Sequence, residues 1–430
     1  MNLTIPVSPF QDFFKKESAS GIVLLVTTIM ALVLANSPMA GGYFALFETS
    51  FVIGTDTFSI EKPLLLWIND GLMAIFFLLI GLEIKRELKY GELSGFRPAL
   101  MPFVAALGGA LVPGLIFFSL NSGTEFSRGW AIAIATDIAF AIGILSLLGS
   151  KVPIWAKVFL TAVAVVDDLI AVMVIAVFYT SNIEMTALAV AGVCVLLLLA
   201  MNARNVRNLG LYLLMGAVLW VAVLKSGVHA TIAGVILGIC IPATRDLSLN
   251  AILERAEKGT ALFRQALRND EDESRETALN YMEEVVVESE SPLHRLEHKL
   301  HSWVAFGIIP IFSFANAGVA INGELVAEAF TSPLTWGIIL GLFAGKQVGI
   351  LAAAYLMKSL GMSTFPEEKN TWKIVYGLAC LSGVGFTMSL FIAGLSFNNP
   401  EFLEYSKMGI IMGSLLSGTL GYGVLRSALR

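Results

Sequence analysis

The chain has 430 residues, of which 56% are hydrophobic and only 14% are charged. Soluble domains carry about 25% charged residues, so the composition excludes an ordinary soluble protein and indicates an integral membrane protein. The net charge of −5 and the lack of a basic cluster argue against a nucleic-acid partner. The three cysteines lie in apolar segments without metal-ligand spacing, and we expect no cofactor.

A membrane-spanning helix needs about 20 mostly apolar residues, and the chain contains twelve such runs. We expect no cleavable signal peptide, because Lys15 and Lys16 precede an apolar run too long for a signal core. The fold predicted is an all-α polytopic membrane protein with twelve transmembrane helices. The runs begin near Gly21, Leu64, Pro98, Gly129, Pro153, Met185, Asn208, Val228, Trp303, Trp336, Val375 and Met408.

The charges in the loops predict the orientation of these spans, because positive residues concentrate on the cytoplasmic side. With the N-terminus inside, the short inside loops hold 15 Lys and Arg residues and the outside loops hold 4. Both termini are then cytoplasmic. Three regions follow: 1–242 with spans one to eight, an acidic cytoplasmic loop over 243–298, and 299–430 with spans nine to twelve.

The acidic loop has apolar positions at helical spacing, which predicts one or two amphipathic helices in contact with solvent. The eleventh span, which contains GLACLSGVGFTMSLFIAG, has Gly383 and Gly385 near its middle, and glycine weakens a helix by roughly 1 kcal/mol. The fourth span has Thr136 and Asp137 at mid-depth. Interrupted helices of this kind are typical of transporter binding sites.

Asp167 and Asp168 lie side by side in the apolar run AVVDDLIAV of the fifth span. A charged residue at the centre of a membrane costs roughly 2.5–3.5 kcal/mol or more, so the pair indicates a functional site. The other charged residues in the spans are also mostly acidic, and carboxylate and hydroxyl oxygens suit hard cations such as Na⁺ or Li⁺. The two side chains are about 100° apart on a helix and cannot be equivalent. We expect protons and a cation to compete for them.

Three other polar residues have both a functional and a structural interpretation. Lys346 could carry a proton, balance a helix end or pair with an aspartate. Asp137 could balance the positive ends of broken helices. His229 is a hydrogen-bonded structural residue or a pH sensor.

Seven stretches of the chain, taken in order, are similar to the bacterial NhaA-type sodium/proton antiporters. The resemblance covers nearly the whole chain and implies inverted repeats, with discontinuous crossing helices at the fourth and eleventh spans; this family is itself a type example of that architecture. The stretches are LLLWINDGLMAIFFLLIGLEIKREL, GWAIAIATDIAFAIGILSLLGSKVP, FLTAVAVVDDLIAV, VLKSGVHATIAGVI, RLEHKLHSWVAFGIIPIFSFANAGV, GLFAGKQVGI and GVGFTMSLFIA.

The resemblance also implies roles for individual residues. Asp167 and Asp168 match the paired cation and proton aspartates, Thr136 and Asp137 the break in the fourth span, and Lys346 the lysine of the tenth span. The activity implied is electrogenic exchange of cytoplasmic Na⁺ or Li⁺ for external protons. Homodimers are a family expectation, with the hairpin-like segment at 42–62 as the candidate contact. The residues that match the cytoplasmic pH-response cluster of the family are Glu83, Arg86, Glu87, Glu297, His298 and His301.

Two features depart from the family pattern: His294 stands where a basic residue is usual, and the loop at about 246–290 is unusually long. Two other functions would require features of their own. A sodium-coupled solute symporter would need more polar groups for an organic substrate, including an Arg within a span. An intramembrane aspartyl protease would need two aspartates on separate helices, in Tyr-Asp and Gly-x-Gly-Asp contexts that the chain lacks.

Overall fold

The computed structural model describes residues 9–55, 58–180, 183–244, 249–269 and 272–430. Most of them are helical, as expected for a chain whose backbone polar groups must find partners inside a bilayer. The helices are α1 (Pro9–Ala35), α2 (Ala40–Glu48), α3 (Leu64–Tyr90), α4 (Phe96–Asn121), α5 (Ile138–Ser146), α6 (Ile154–Phe178), α7 (Met185–Ala203), α8 (Leu209–Lys225), α9 (Ile232–Cys240), α10 (Leu249–Asn269), α11 (Asp272–Ser289), α12 (292–316), α13 (Gly323–Thr331), α14 (Pro333–Ser359), α15 (Thr371–Leu381), α16 (Phe386–Ser396) and α17 (Pro400–Ala428).

Shorter helical turns complete this framework. Three wide π-helical turns lie within α3, α12 and α14, at Ile68–Leu72, Val304–Ile308 and Gly341–Gly345. The 3₁₀ segments are Glu92–Ser94, Glu125–Ile134 and Gly149–Lys151.

Within the described ranges, eight helical segments are long and apolar enough to cross a membrane. A ninth crossing is obtained if Glu125–Ile134 and α5, which are bent by 41° relative to each other, form one span. Helix α8 is apolar but has 17 residues, and α9 has only 9. The protein is therefore a polytopic helical membrane protein, and the number twelve stays a prediction.

One part of the chain is not helical, so the prediction of an all-α fold was wrong there. Strands β1 (Ser50–Thr55) and β2 (Phe58–Pro63) pair antiparallel, with Ile53 opposite Ile60. The β-branched residues of VIGT and FSI favour extended backbone, and Gly54 adopts a positive φ of 143°. The hairpin leads directly into α3.

Glycines bring two pairs of helices into backbone contact. A Cβ atom at Gly349 of α14 would lie 2.0 Å from the carbonyl oxygen of Gly108 in α4. A Cβ atom at Gly234 of α9 would lie 2.1 Å from the carbonyl oxygen of Ala74 in α3. Membrane helices pack closely through such small residues, and the first contact fixes the helix that carries Lys346.

The loop predicted over 243–298 contains α10, α11 and the first residues of α12. Helices α10 and α11 pack against each other, and an ion pair joins Arg255 to Glu288. The Ser291 hydroxyl accepts from the backbone N–H of His294 and caps α12. Helix α12 then returns the chain to the apolar part of the protein.

Candidate functional site

The aspartate pair lies on α6, which begins after Pro153 and remains helical through the two acids. Asp167 and Asp168 are each only 2% exposed. An ionised carboxylate at that depth requires a counter-charge, a cation or a proton. Their surroundings differ, as their positions about 100° apart on the helix require.

Asp167 faces Lys346 of α14. The ammonium nitrogen lies 2.6 Å from Asp167 Oδ2, and both side chains are completely buried. Lys346 follows the π turn Gly341–Gly345, and π turns are frequent at functional sites. Lys346 thus forms an ion pair directly with one member of the aspartate pair, Asp167.

The Thr136 hydroxyl lies between two acceptors. Its oxygen is 2.6 Å from Asp167 Oδ2 and 2.7 Å from the carbonyl oxygen of Ser382. A hydroxyl has a single proton and can donate to only one of them. A proton on Asp167 would satisfy both contacts, because Asp167 would then donate to Thr136 and Thr136 to Ser382.

Asp168 faces a small cavity of about 50 Å³. Its Oδ1 atom is buried and has no hydrogen-bond partner among the described residues, and the same holds for Asp167 Oδ1. The polar side chains that line the cavity with Asp168 are Ser20, Glu83, Thr136, Asp137, His301 and Thr387. Asp168 therefore offers a carboxylate oxygen to whatever enters this cavity.

Asp137 lies where two helical segments are interrupted side by side, at 135–137 and at 382–385. Its backbone N–H donates to the Val384 carbonyl over 2.6 Å. Its Oδ1 accepts from Phe140 N–H at the start of α5, and its Oδ2 accepts from the N–H and hydroxyl of Thr387 at the start of α16. One carboxylate thus lies at two helix N-termini, where a negative charge is favoured.

The backbones at these interruptions approach too closely for side chains. A Cβ atom at Gly383 would lie 2.3 Å from the Leu342 carbonyl oxygen, and one at Gly385 would lie 2.9 Å from the Ala135 carbonyl oxygen. The GVG sequence is therefore required by packing as well as by its low helix propensity. Thr387 was not predicted as a site residue, because no sequence signal places it beside Asp137.

The residues proposed for a pH response fall into two groups. Arg86 forms ion pairs with Glu87, over 3.0 Å, and with Glu297. Glu83 and His301 instead line the cavity of Asp168. The side chain of His298 is exposed, and His294 stacks on Tyr90 at a ring distance of 6.3 Å.

The Glu297 carboxyl is buried and lies on α12, before the predicted ninth span. Burial raises the pKa of Glu297 above its ordinary value, and the nearby Arg86 opposes that rise. The carboxyl therefore keeps its proton to a higher pH than a solvated glutamate does.

His229 is not part of either group. Its Nδ1 atom lies 2.8 Å from the Thr231 hydroxyl, and its Nε2 atom is 3.9 Å from Asp70. Asp70 in turn accepts from Lys62 at the end of β2, over 2.5 Å. No feature of the sequence predicted this Lys62–Asp70 pair.

The described residues contain no group of three or more His, Cys, Asp or Glu side chains arranged for a metal ion. A cation in the cavity of Asp168 would meet carboxylate and hydroxyl oxygens. Each buried carboxylate can hold a proton, a lysine or a cation.

Comparison with known proteins was made across the whole chain. The model of the family Na⁺/H⁺ antiporter 1 matches residues 11–425. The chain belongs to this family. It is 47% identical to the Na⁺/H⁺ antiporter NhaA of Rhodospirillum rubrum, with 99% of each chain covered. It is 45% identical to the Na⁺/H⁺ antiporter NhaA of Oleidesulfovibrio alaskensis, over 99% of this chain and 95% of the relative. It is 43% identical to the Na⁺/H⁺ antiporter NhaA of Haemophilus ducreyi, over 98% of this chain and 97% of the relative.

The relatives of the Na⁺/H⁺ antiporter 1 family match this chain over nearly their full lengths. The predicted resemblance is confirmed, and the names of these relatives describe transporters. Membership and the apolar helices together identify a multi-pass membrane protein that carries out sodium/proton antiport.

Proposed function

We propose that the protein exchanges cytoplasmic Na⁺ or Li⁺ for external protons by competition at the aspartate pair, in an alternating-access cycle. More protons enter than sodium ions leave, so the exchange is electrogenic, and the cytoplasmic cluster makes it pH-dependent. The observation that carries this proposal is the unequal pair: Asp167 forms an ion pair with Lys346, whereas Asp168 forms no ion pair with any described residue and lines a small cavity instead.

The unequal pair supports competition for a physical reason. A buried ionised carboxylate without a counter-charge is costly, so Asp168 is stable when it holds either a proton or a cation. A cation that also reaches Asp167 would compete with Lys346 for the same oxygen. Thr136 fits the same scheme, since its hydroxyl can donate to Asp167 when that carboxyl is ionised and to the Ser382 carbonyl when Asp167 is protonated.

The proposed arrangement in the membrane follows from the family and from the loop charges. We place twelve spans in the bacterial inner membrane, with both termini and the acidic loop in the cytoplasm. Spans three to five and ten to twelve form the inverted repeats, and the fourth and eleventh spans cross at their interruptions. Membrane lipid surrounds the protein, and we place a homodimer contact at the hairpin of β1 and β2.

Exchange is tested in everted membrane vesicles that carry a respiration-driven pH gradient. Adding Na⁺ or Li⁺ should collapse the gradient, and no response across a neutral to alkaline pH series would reject the assignment. A rate that depends on an imposed membrane potential supports electrogenic exchange. Sodium-coupled symport, the competing function, would leave the pH gradient unchanged.

The roles of the aspartates are tested separately. Asp167→Asn and Asp168→Asn should each abolish or nearly abolish exchange, because each replaces an ionisable oxygen with an amide. Glu184→Gln is a matched control, since Glu184 is exposed and caps α7 away from the site. Wild-type rates in either aspartate variant would contradict the proposed pair.

A further inference from the structure

Tyr179 immediately follows α6 and has no role in the site described above. Its side chain is 9% exposed. It lies 11 residues after Asp168, or about 17 Å along a helix axis at 1.5 Å per residue. Tyr179 therefore lies at the C-terminal end of the helix that carries the aspartate pair, well away from the two carboxylates.

The Tyr179 hydroxyl contacts both interrupted segments at their far ends. It donates a hydrogen bond to the Arg128 carbonyl over 2.6 Å, and Arg128 belongs to the 3₁₀ segment Glu125–Ile134. The Ser396 hydroxyl lies 3.2 Å from the same phenol oxygen and 2.8 Å from the Ile392 carbonyl oxygen, the second acceptor for its single proton; Ser396 is the last residue of α16. One oxygen atom thus joins the segments that precede the first interruption and follow the second.

Aromatic side chains fill the space around this contact. A Cβ atom at Gly129 would lie 2.8 Å from the Phe397 ring, and Trp130 meets Phe178 edge-on at a ring distance of 5.3 Å. The cavity of Asp168, in contrast, is lined by residues of α1, α3, α12, the interruption at 135–137 and the first turns of α5 and α16, and by none from 125–134. Asp168 therefore borders a cavity on the side of Glu83 and His301, and no cavity-lining residue comes from the Tyr179 end.

We propose that Tyr179 is a gate residue, whose hydroxyl holds the outer ends of the two interrupted segments together while the site faces the cytoplasm. This inference rests on the proposed function, because alternating access requires the same aspartates to face the external solution later in the cycle. For that to happen, Glu125–Ile134 and α16 must separate at this end. The Tyr179 contacts must break at that step.

The test replaces the hydroxyl alone, by Tyr179→Phe, and measures opening directly. Ala131→Cys provides the probe, because Ala131 is fully buried in the segment that must move. The three native cysteines are replaced by serine, and a membrane-impermeant thiol reagent is added from outside. A lost hydrogen bond should raise the rate of labelling about two- to tenfold, as the open state becomes more populated.

Tyr43→Phe is the matched control. Tyr43 is similarly buried and also donates to a backbone carbonyl, that of Phe314 over 2.5 Å, but it contacts neither interrupted segment. Its labelling rate should equal that of the parent. Ser396→Ala, which keeps the bond to Arg128, should raise the rate in the same direction but less.

The outcomes separate the inference from the proposed function. An unchanged labelling rate in Tyr179→Phe, or an equal rise in Tyr43→Phe, would overturn the gate. Melting temperatures measured on all variants distinguish gate opening from general unfolding. If labelling of Tyr179→Phe rises only because the variant is unfolded, the gate proposal is also overturned. Failure of the parent protein to exchange Na⁺ for protons would instead overturn the proposed function.

Discussion

Gly349→Ala should damage transport although Gly349 carries no functional group. A Cβ atom there would lie 2.0 Å from the Gly108 carbonyl oxygen, whereas an ordinary contact is at least 3.4 Å. Helices α4 and α14 would have to separate by about 1.4 Å at this point. Backbone is met on both sides, so no side chain can rotate away to make room. Overpacking of this kind costs about 1–3 kcal/mol.

The separation would reach the site because Lys346 lies one helical turn away on the same helix. Its nitrogen now lies 2.6 Å from Asp167 Oδ2. A displacement of similar size would bring that distance to about 4 Å, beyond the range of a hydrogen bond. Asp167 would then be a buried carboxylate with a weakened counter-charge, which is strongly unfavourable.

The assay is sodium-dependent collapse of the pH gradient in everted vesicles, together with the melting temperature of the purified protein. We expect a loss of exchange of at least tenfold and a lower melting temperature in Gly349→Ala. Gly192→Ala is the control: a Cβ atom there meets nothing within 4 Å, and alanine favours the helix. Wild-type exchange and sodium affinity in Gly349→Ala would refute the argument from close packing.

Three further predictions follow from the site and the loop. Glu297→Gln should make exchange less steeply dependent on pH. The native carboxyl ionises as pH rises through its raised pKa and then adds a charge beside Arg86, whereas glutamine stays neutral. An unchanged activity–pH profile in vesicles would contradict this. Asp137→Ala should lower the melting temperature more than Asp137→Asn, because two helix N-termini lose an acceptor. Each cap contributes about 0.5–2 kcal/mol. Equal melting temperatures of the two variants would argue against shared capping. Replacing 249–289 by a short flexible linker should preserve exchange, since α10 and α11 pack mainly on each other. A shifted activity–pH curve in this variant would indicate that the acidic loop acts on the pH-response cluster.

The parts of the site that the sequence predicted were those with a large energetic signal. Two adjacent aspartates and a lysine in apolar runs are costly wherever the helices pack, so their importance did not depend on knowing the fold. Which aspartate meets Lys346 could not be predicted. That choice depends on how α6 and α14 are rotated about their axes, and the wide turn at Gly341–Gly345 changes the rotation of α14.

Other contacts had no local signal at all. The bond between Asp137 and Thr387 joins residues 250 positions apart, and the pairing of Lys62 with Asp70 depends on how the hairpin meets α3. The hairpin was expected as a hairpin-like segment within 42–62, but a search for apolar runs does not locate the bounds of two short strands. The roles assigned to the pH-response residues stay predictions.

The π turn before Lys346 also constrains how this protein can change over evolutionary time. A π turn holds one residue more than an α turn, so loss of a single residue between Gly341 and Lys346 could leave the helix continuous. The two halves of α14 would nevertheless be rotated by about 100° relative to each other. Either Gly337, which precedes the turn, would leave the face of α4 or Lys346, which follows it, would leave Asp167. Sequence variation in this stretch is therefore expected as substitution and not as change of length, a pattern that conservation of Lys346 alone would not reveal.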